Sequence, residues 1–255
     1  MRMFPMILRA GALAAALFSA APAFAAEAVE FPHLNWSFSG VFGTYDRAAA
    51  QRGSQVFMAV CNNCHSLKQA SYRNLVGIGL TEKEVEALAA TVNVPTLGDD
   101  GQPVERPALP GDRFRSPFAN EKIARMVNHG ALPPDLSVIV SGREGGADYI
   151  YGLLTGYGEP PATMKMGDGM NYNKAFAGNQ IGMPRPLSDD MVTYADGTKA
   201  TVEQEARDVV TFLAYIAAPE MEQRKRMGVK VILFLVMLTC VTYAVKRKVW
   251  SDVEH

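Results

Sequence analysis

Apolar residues recur mainly at helical spacing along this chain, and the clearest pattern lies just before residue 61. Asp46 is typical of a helix N-cap, and the apolar positions after it share one face: Ala49, Gly53, Val56, Phe57 and Val60. A second amphipathic helix is predicted after Thr201, with Gln204 in capping-box position. Its apolar face comprises Val202, Ala206, Val209, Val210, Leu213 and Ile216.

The acidic residues of the second helix, Glu203, Glu205 and Asp208, are expected on its polar side. Pro219 is expected to break or kink the chain after it. Three shorter helices are predicted: TEKEVEALAA (81–90, with a Thr81/Glu84 capping box), residues 120–128, and DYIYGLLTG (148–156). The Pro- and Gly-rich stretch between the first two is interpreted as connections. The rest of residues 131–190 is interpreted as ordered loop, because it is rich in aromatic and apolar residues.

Two apolar runs near the ends of the chain differ from these helices. Arg2 and Arg9 precede a short apolar stretch, and Ala23-Phe24-Ala25 follows it. This order predicts a secretory signal peptide over residues 1–25, with a membrane anchor as the alternative, although the stretch is short for a span.

The second run, residues 231–245, carries no charge and has basic clusters on both sides. It predicts a transmembrane anchor over residues 229–246, with a buried core helix as the alternative. An exported domain over residues 26–223 and a cytoplasmic tail over residues 247–255 follow, because the signal peptide sets the orientation. The sequence thus predicts a single-pass protein of a bacterial inner membrane, with its domain on the periplasmic side.

Charge is unevenly distributed along the chain. The net charge is −1, yet residues 27–223 hold 24 Asp and Glu against 16 Lys and Arg, a net charge of −8. An acidic domain repels nucleic acid and favours a cationic partner. The three cysteines do not suggest a disulfide framework, because Cys240 lies inside the predicted anchor.

The other two cysteines belong to the sequence CNNCH, residues 61–65. The C-x-x-C-H pattern predicts covalent haem: Cys61 and Cys64 each add to a vinyl group, and His65 then ligates the iron. The alternatives are a redox-active C-x-x-C and half of a zinc site. A zinc site needs a second ligand pair, and a thioredoxin-like site needs a βαβ context; the sequence offers neither.

The second axial ligand is less clear from the residues alone. The candidates are His33, His129 and the methionines Met164, Met166, Met170, Met183 and Met191. Met183 is preferred because Pro184 and Pro186 limit the backbone around it, which can hold a thioether toward iron at low entropic cost.

Four segments in order, HGALPPDLS, DYIYGLLTGY, NQIGMPRPL and RKRMGVK with the apolar run behind it, resemble the cytochrome c1 family. The resemblance covers nearly the whole chain after residue 25. It implies a mainly α, c-type cytochrome fold with long ordered loop insertions and one C-terminal transmembrane helix. It also implies one haem c per chain, with His65 and Met183 on the iron, Arg143 and Tyr149 near the propionates, and Pro133 in the haem wall. Some bacterial members carry an additional cysteine pair, and this chain has no spare pair for it.

The resemblance further implies a function and partners. The chain is expected to be an electron-transfer subunit, not an enzyme by itself, in a ubiquinol:cytochrome c oxidoreductase complex. Its expected neighbours are a cytochrome b subunit, a Rieske iron–sulfur protein as electron donor and a cationic cytochrome c as acceptor. Two alternatives remain open from the residues: a haem enzyme with an open iron, such as a peroxidase, and an independent membrane-tethered electron carrier.

Overall fold

The computed structural model describes residues 31–253, so the predicted signal peptide lies outside the described residues. Within these residues the fold is mainly helical, as predicted. The α-helices are α1 (Arg47–Ala59), α2 (Glu82–Ala90), α3 (Glu121–Val127), α4 (Gly146–Thr155), α5 (Val202–Ala217) and α6 (Met221–Val249). Short 3₁₀ helices cover Cys61–Asn63, Tyr72–Ile78 and Ala177–Asn179.

The core is built on the packing of α1 against α5, the two amphipathic helices that the sequence predicted. Gly53 makes this close approach possible, because a Cβ placed there would lie 2.0 Å from the Asp208 carbonyl oxygen of α5. The rings of Phe57 and Phe212 meet nearby, with centroids 5.8 Å apart. Both phenylalanines are completely buried, so this crossing is part of the hydrophobic core.

The acidic face of α5 corrects one expectation. Glu203 is exposed, but Glu205 and Asp208 are fully buried. Asp208 pairs with Arg52 of α1 at 2.8 Å, and Glu205 accepts a hydrogen bond from the Val192 backbone N–H. The periodicity of α5 could not reveal this, because the loop before α5 and the Arg52 guanidinium cover the polar side.

The capping residues behave largely as predicted. Thr81 and Glu84 form the reciprocal capping box of α2, and Asp46 caps α1 by accepting from the Ala49 N–H. Thr201 caps α5 by accepting from the Gln204 N–H at 3.3 Å. The Gln204 amide turns toward Asp208 instead of completing a capping box.

The Pro- and Gly-rich connection after α2 contains a hairpin that was not predicted. Strand β1 (Asn93–Leu97) pairs antiparallel with β2 (Pro103–Pro107), around a turn closed by Gly98 and Gln102. The prolines inside both strands argued against strand structure in the sequence. An edge-only two-strand ribbon tolerates them, because each strand has one side free of ladder bonds.

Residues 131–190 form ordered loops around α4, as predicted. They contain one further small ladder, in which β3 (Asn171–Tyr172) pairs antiparallel with β4 (Gln180–Ile181). Residue 183 lies two positions after the end of β4, so this ladder sets where the methionine loop begins.

Helix α6 begins two residues after Pro219 and runs for 29 residues, well beyond both ends of the predicted anchor. By length and composition it is the one helix among the described residues that could cross a membrane. Its apolar side chains from Val231 to Val245 are exposed, whereas those of α5 are buried. This exposure contradicts the alternative of a buried core helix.

Candidate functional site

A cavity of about 500 Å³ is lined by residues 60–65 just after α1, by α4 and α5, and by loop residues between 128 and 186. Its walls are mostly apolar side chains, including Leu136, Ile139, Ile150 and Leu154. Val209 and Leu213 close one side, so the core helix α5 also forms part of the cavity wall. This size and lining are typical of a cofactor site.

The CNNCH segment reaches the cavity directly from the end of α1. Helix α1 ends at Ala59, and a 3₁₀ turn over Cys61–Asn63 follows. The backbone N–H groups of Cys64 and His65 both donate to the Cys61 carbonyl oxygen, at 3.1 and 2.8 Å. This tight turn brings all three chemically active side chains to the cavity wall.

The environment of Cys61 also bears on the redox alternative. Burial raises the pKa of the Cys61 thiol to about 12. Redox-active C-x-x-C motifs need a thiolate with a lowered pKa at the attacking cysteine. The first thiol of this motif is therefore poorly suited to disulfide exchange. Among the described residues there is also no cluster of ligands that could complete a zinc site.

The imidazole of His65 is held in one orientation by a backbone carbonyl. His65 Nδ1 lies 2.8 Å from the Pro134 carbonyl oxygen. A carbonyl only accepts, so Nδ1 carries the hydrogen and donates it. Burial lowers the pKa of His65, which favours the neutral ring. Neutral His65 then presents the lone pair of Nε2, the form in which histidine binds a metal.

The same loop fastens the residues that follow His65. Asp135 Oδ2 accepts from the Ser66 hydroxyl at 2.7 Å and from the Lys68 N–H at 2.8 Å. The Leu136 N–H donates to the Ser66 carbonyl oxygen at 2.9 Å, and the Gln69 N–H donates to the Ser137 hydroxyl at 3.0 Å. We call these two paired segments, residues 65–69 and 134–137, the histidine clamp.

Met183 lies in the cavity wall together with Gly182, Pro184 and Pro186. Of the methionines and histidines in the described chain, only Met183 and His65 line this cavity. The Tyr157 hydroxyl donates to the Met183 carbonyl oxygen at 3.0 Å, which fixes the backbone at the methionine. Burial raises the pKa of this phenol, so Tyr157 keeps its proton near neutral pH.

The remaining predicted residues also line the cavity. Pro133 lies in the wall beside the histidine clamp. Arg143 comes from the Gly-rich loop before α4, and Tyr149 comes from the first turns of α4. Arg143 is exposed and Tyr149 half-buried, and the arginine charge acts to lower the Tyr149 pKa, although burial raises it overall. The two residues are thus close together at an open part of the cavity.

The donor set of this cavity fits a covalently attached haem. Two thiols and an imidazole lie on one turn, with a thioether in the same cavity and apolar side chains over most of its walls. An exposed guanidinium at the open side suits a carboxylate group. Haem is a flat apolar macrocycle with two propionate groups, and these ligands, apolar walls and guanidinium suit it.

Comparison with known proteins supports the same interpretation. Residues 36–253 match the cytochrome C1 family. The chain belongs to the cytochrome c1 family. It is 44% identical to "Cytochrome c1" of Rhodospirillum rubrum, over 87% of this chain and 88% of the relative. It is 46% identical to "Cytochrome c1, heme protein, mitochondrial" of Saccharomyces cerevisiae, over 88% of this chain and 73% of the relative. It is 45% identical to the "Cytochrome b-c1 complex catalytic subunit, mitochondrial" of Candida albicans, over 88% and 78%.

Two residues that hold the site in shape were not indicated by the sequence pattern. Asp135 organises the histidine clamp, and Tyr157 holds the Met183 backbone. Asp135 follows two prolines in ALPPDLS, which signals a turn but not its distant partner Ser66. Neither role has a local sequence signature, because each depends on a hydrogen bond to a residue 26 or more positions away in the sequence.

Proposed function

We propose that this chain is a membrane-anchored c-type cytochrome that carries one haem c and transfers single electrons in a quinol-oxidising complex. The observation that carries the proposal is the single apolar cavity that contains the CNNCH segment and Met183. In this proposal Cys61 and Cys64 attach the haem covalently, and His65 and Met183 are its axial ligands. Haem supplies a one-electron ferric/ferrous couple when bound.

The protein residues then have distinct tasks. The histidine clamp keeps the His65 ring oriented, and the prolines around Met183 hold the thioether in place. Arg143 and Tyr149 bind the propionates, and Pro133 with the apolar walls excludes water. With His65 and Met183 both bound to the iron, no coordination position would remain for oxygen or peroxide, so the subunit would not be an enzyme by itself.

The topology of the proposal follows from the two apolar runs. Residues 1–25 act as the signal peptide, residues 26–223 form the exported haem domain, residues 229–246 anchor it, and residues 247–255 stay in the cytoplasm. The proposed location is the inner membrane of a bacterium, with the haem domain on the periplasmic side. The long exposed apolar surface of α6 supports this arrangement.

The proposed partners are a cytochrome b subunit, a Rieske iron–sulfur protein as donor and a cationic cytochrome c as acceptor, with no role for nucleic acid. The printed name of the Candida relative refers to the cytochrome b-c1 complex, which supports complex membership. The acidic character of residues 27–223 supports a cationic acceptor. Glu205 and Asp208 do not belong to a docking surface, because both are buried.

Purification in mild detergent tests the complex. We expect the chain to co-purify with a b-type cytochrome and an iron–sulfur protein in fixed ratio. Isolation of the chain alone, with haem bound, would contradict the complex and favour an independent electron carrier.

Covalent attachment has a separate test. The haem should stay with the polypeptide after denaturation and acidic organic extraction, and a Cys61→Ser, Cys64→Ser double variant should lose it. The matched control is Cys240→Ser, the third cysteine, which lies outside the cavity and should retain covalent haem. Haem that extracts freely from the unaltered chain would contradict the attachment.

A further inference from the structure

Residues 39–43, which we call the Phe42 loop, expose two large apolar side chains. Phe42 is 85% exposed and Val41 is 63% exposed. The aromatic residues on either side of the loop are packed: Trp36 stacks on Phe38 at 5.5 Å, and Tyr45 is buried. The loop tip is thus a small apolar projection from a well-ordered segment.

The Phe42 loop is fastened to the start of α6. Lys225 Nζ donates to the Phe38 carbonyl oxygen at 2.7 Å and to the Gly43 carbonyl oxygen at 3.3 Å, one on each side of the tip. Glu222 adds two contacts one turn earlier: it accepts from the Tyr45 N–H at 2.8 Å and pairs with Arg47 at 3.0 Å. The loop therefore has a defined height along the α6 axis.

That height corresponds to the surface of a bilayer. Lys225 precedes the first residue of the charge-free run, Val231, by six residues, a rise of about 9 Å along a helix. Headgroup layers occupy roughly 5–8 Å on each side of the hydrocarbon core. Side chains projecting from the loop are then within reach of the boundary between headgroups and acyl chains.

The charges at this level also suit a lipid surface. Arg224, Arg226 and Lys230 are exposed on α6 beside or below the loop. Basic side chains at this depth bind phosphate headgroups while their stems cover apolar surface. An apolar tip beside a helix that carries exposed cations at the same level is the composition of an interfacial membrane contact.

We propose that the Phe42 loop inserts Phe42 and Val41 into the membrane–water interface on the periplasmic side of the inner membrane. The loop then forms a second contact with the bilayer beside α6. The occupant of this surface is lipid. The two contacts together fix the tilt of the haem domain relative to the membrane plane, which a single helix cannot do. The inference rests on the proposed anchor role of α6.

Site-directed spin labelling of the full, haem-loaded chain in lipid nanodiscs tests the proposal. In a Cys240→Ser background, single cysteines replace Phe42, Val41, Leu97 and Val236 in separate samples. Leu97 is the matched control, because it is an apolar residue 70% exposed in the β1–β2 hairpin, away from α6. Val236, in the middle of α6, reports the anchor itself. Relaxation by oxygen, which concentrates in lipid, is compared with relaxation by a water-soluble nickel chelate.

The proposal predicts oxygen-to-nickel ratios at positions 42 and 41 several-fold higher than at position 97, and lower than at position 236 in the middle of α6. A ratio at positions 42 and 41 equal to that at 97, with a lipid value at 236, would overturn the loop contact alone. Shielding of position 42 from both agents would overturn lipid as the occupant in favour of protein. A water-like ratio at position 236 would overturn the anchor on which the inference rests.

Discussion

The two sides of the cavity in this member of the cytochrome c1 family are held by different means. On the histidine side, five hydrogen bonds join residues 65–69 to residues 134–137, and Asp135 accepts two of them. On the methionine side, the chain around Met183 depends on one bond from Tyr157, on the two-residue β3–β4 ladder and on two prolines. The histidine side is thus held by hydrogen bonds between distant segments. The methionine side is held mainly by the restricted backbone of neighbouring residues.

This difference implies a division of roles. A change on the histidine side should disturb folding and haem orientation together, because the clamp is part of the tertiary structure. A change on the methionine side should alter the axial ligand while the fold and the covalent attachment persist. The following variants test that division, from the largest expected effect to the smallest.

Met183→Leu should change the redox behaviour most. Loss of the thioether should lower the midpoint potential by on the order of a few tenths of a volt, within the ~0.8 V that axial ligands span. Covalent haem should remain, because the cysteines are untouched. Redox titration of the detergent-solubilised chain measures the shift. Met166→Leu is the control, since Met166 does not line the cavity. A large shift of the potential in Met166→Leu, with none in Met183→Leu, would show that Met166 binds the iron instead of Met183.

Gly53→Ala should cause the largest loss of stability. The new Cβ would meet the Asp208 backbone at 2.0 Å, so α1 and α5 must separate, at a cost of about 3 kcal/mol. The end of α1 carries the cysteines, so the histidine side should be displaced. Denaturant unfolding followed by haem absorbance gives the free energy. Gly111→Ala is the control, because nothing lies within 4 Å of a Cβ at that position. Equal stability of the two variants would contradict the close crossing.

Asp135→Ala removes the acceptor at the centre of the histidine clamp. We expect a loss of about 2 kcal/mol of unfolding free energy, together with a broadened haem spectrum. Asp135→Asn should recover part of this loss, because it keeps one acceptor oxygen. Asp112→Ala removes a carboxylate that binds Arg106 near the hairpin, and it should leave the haem spectrum unchanged. An unaltered spectrum in Asp135→Ala would mean that the clamp does not orient His65.

Tyr157→Phe should have the smallest effect. It deletes the hydrogen bond to the Met183 carbonyl oxygen, which contributes about 1 kcal/mol. The deficit should appear as easier displacement of the methionine by added imidazole, with little change in global stability. Tyr151→Phe is the control, because Tyr151 packs edge-on against Trp36 and does not line the cavity. Identical imidazole affinities in Tyr157→Phe and the unaltered protein would contradict this role.

Much of this architecture was accessible from the sequence, because it is encoded locally. The apolar spacing around Gly53 and Val209 predicted the two core helices, and the CNNCH order singled out a segment that lines the cavity. Proline positions and the family resemblance together led to Met183. These features can be predicted from residues that are close together in the sequence.

The rest depended on contacts between distant segments. The buried state of Asp208 depends on Arg52, which is 156 residues away, and the helical pattern of α5 gave no sign of it. The β1–β2 hairpin was missed because Pro95 and Pro103 disfavour strands in general but are tolerated at edges. The histidine clamp likewise joins segments about 68 residues apart, so neither segment reveals it alone.

His65 and Met183 are both proposed to ligate the haem iron. Exposure of the reduced, detergent-solubilised chain to carbon monoxide tests this central claim most directly. The account predicts no change in the haem absorption spectrum of the unaltered protein, and ready binding in Met183→Leu. Rapid carbon monoxide binding by the unaltered protein would contradict the claim and favour a haem enzyme with an open iron.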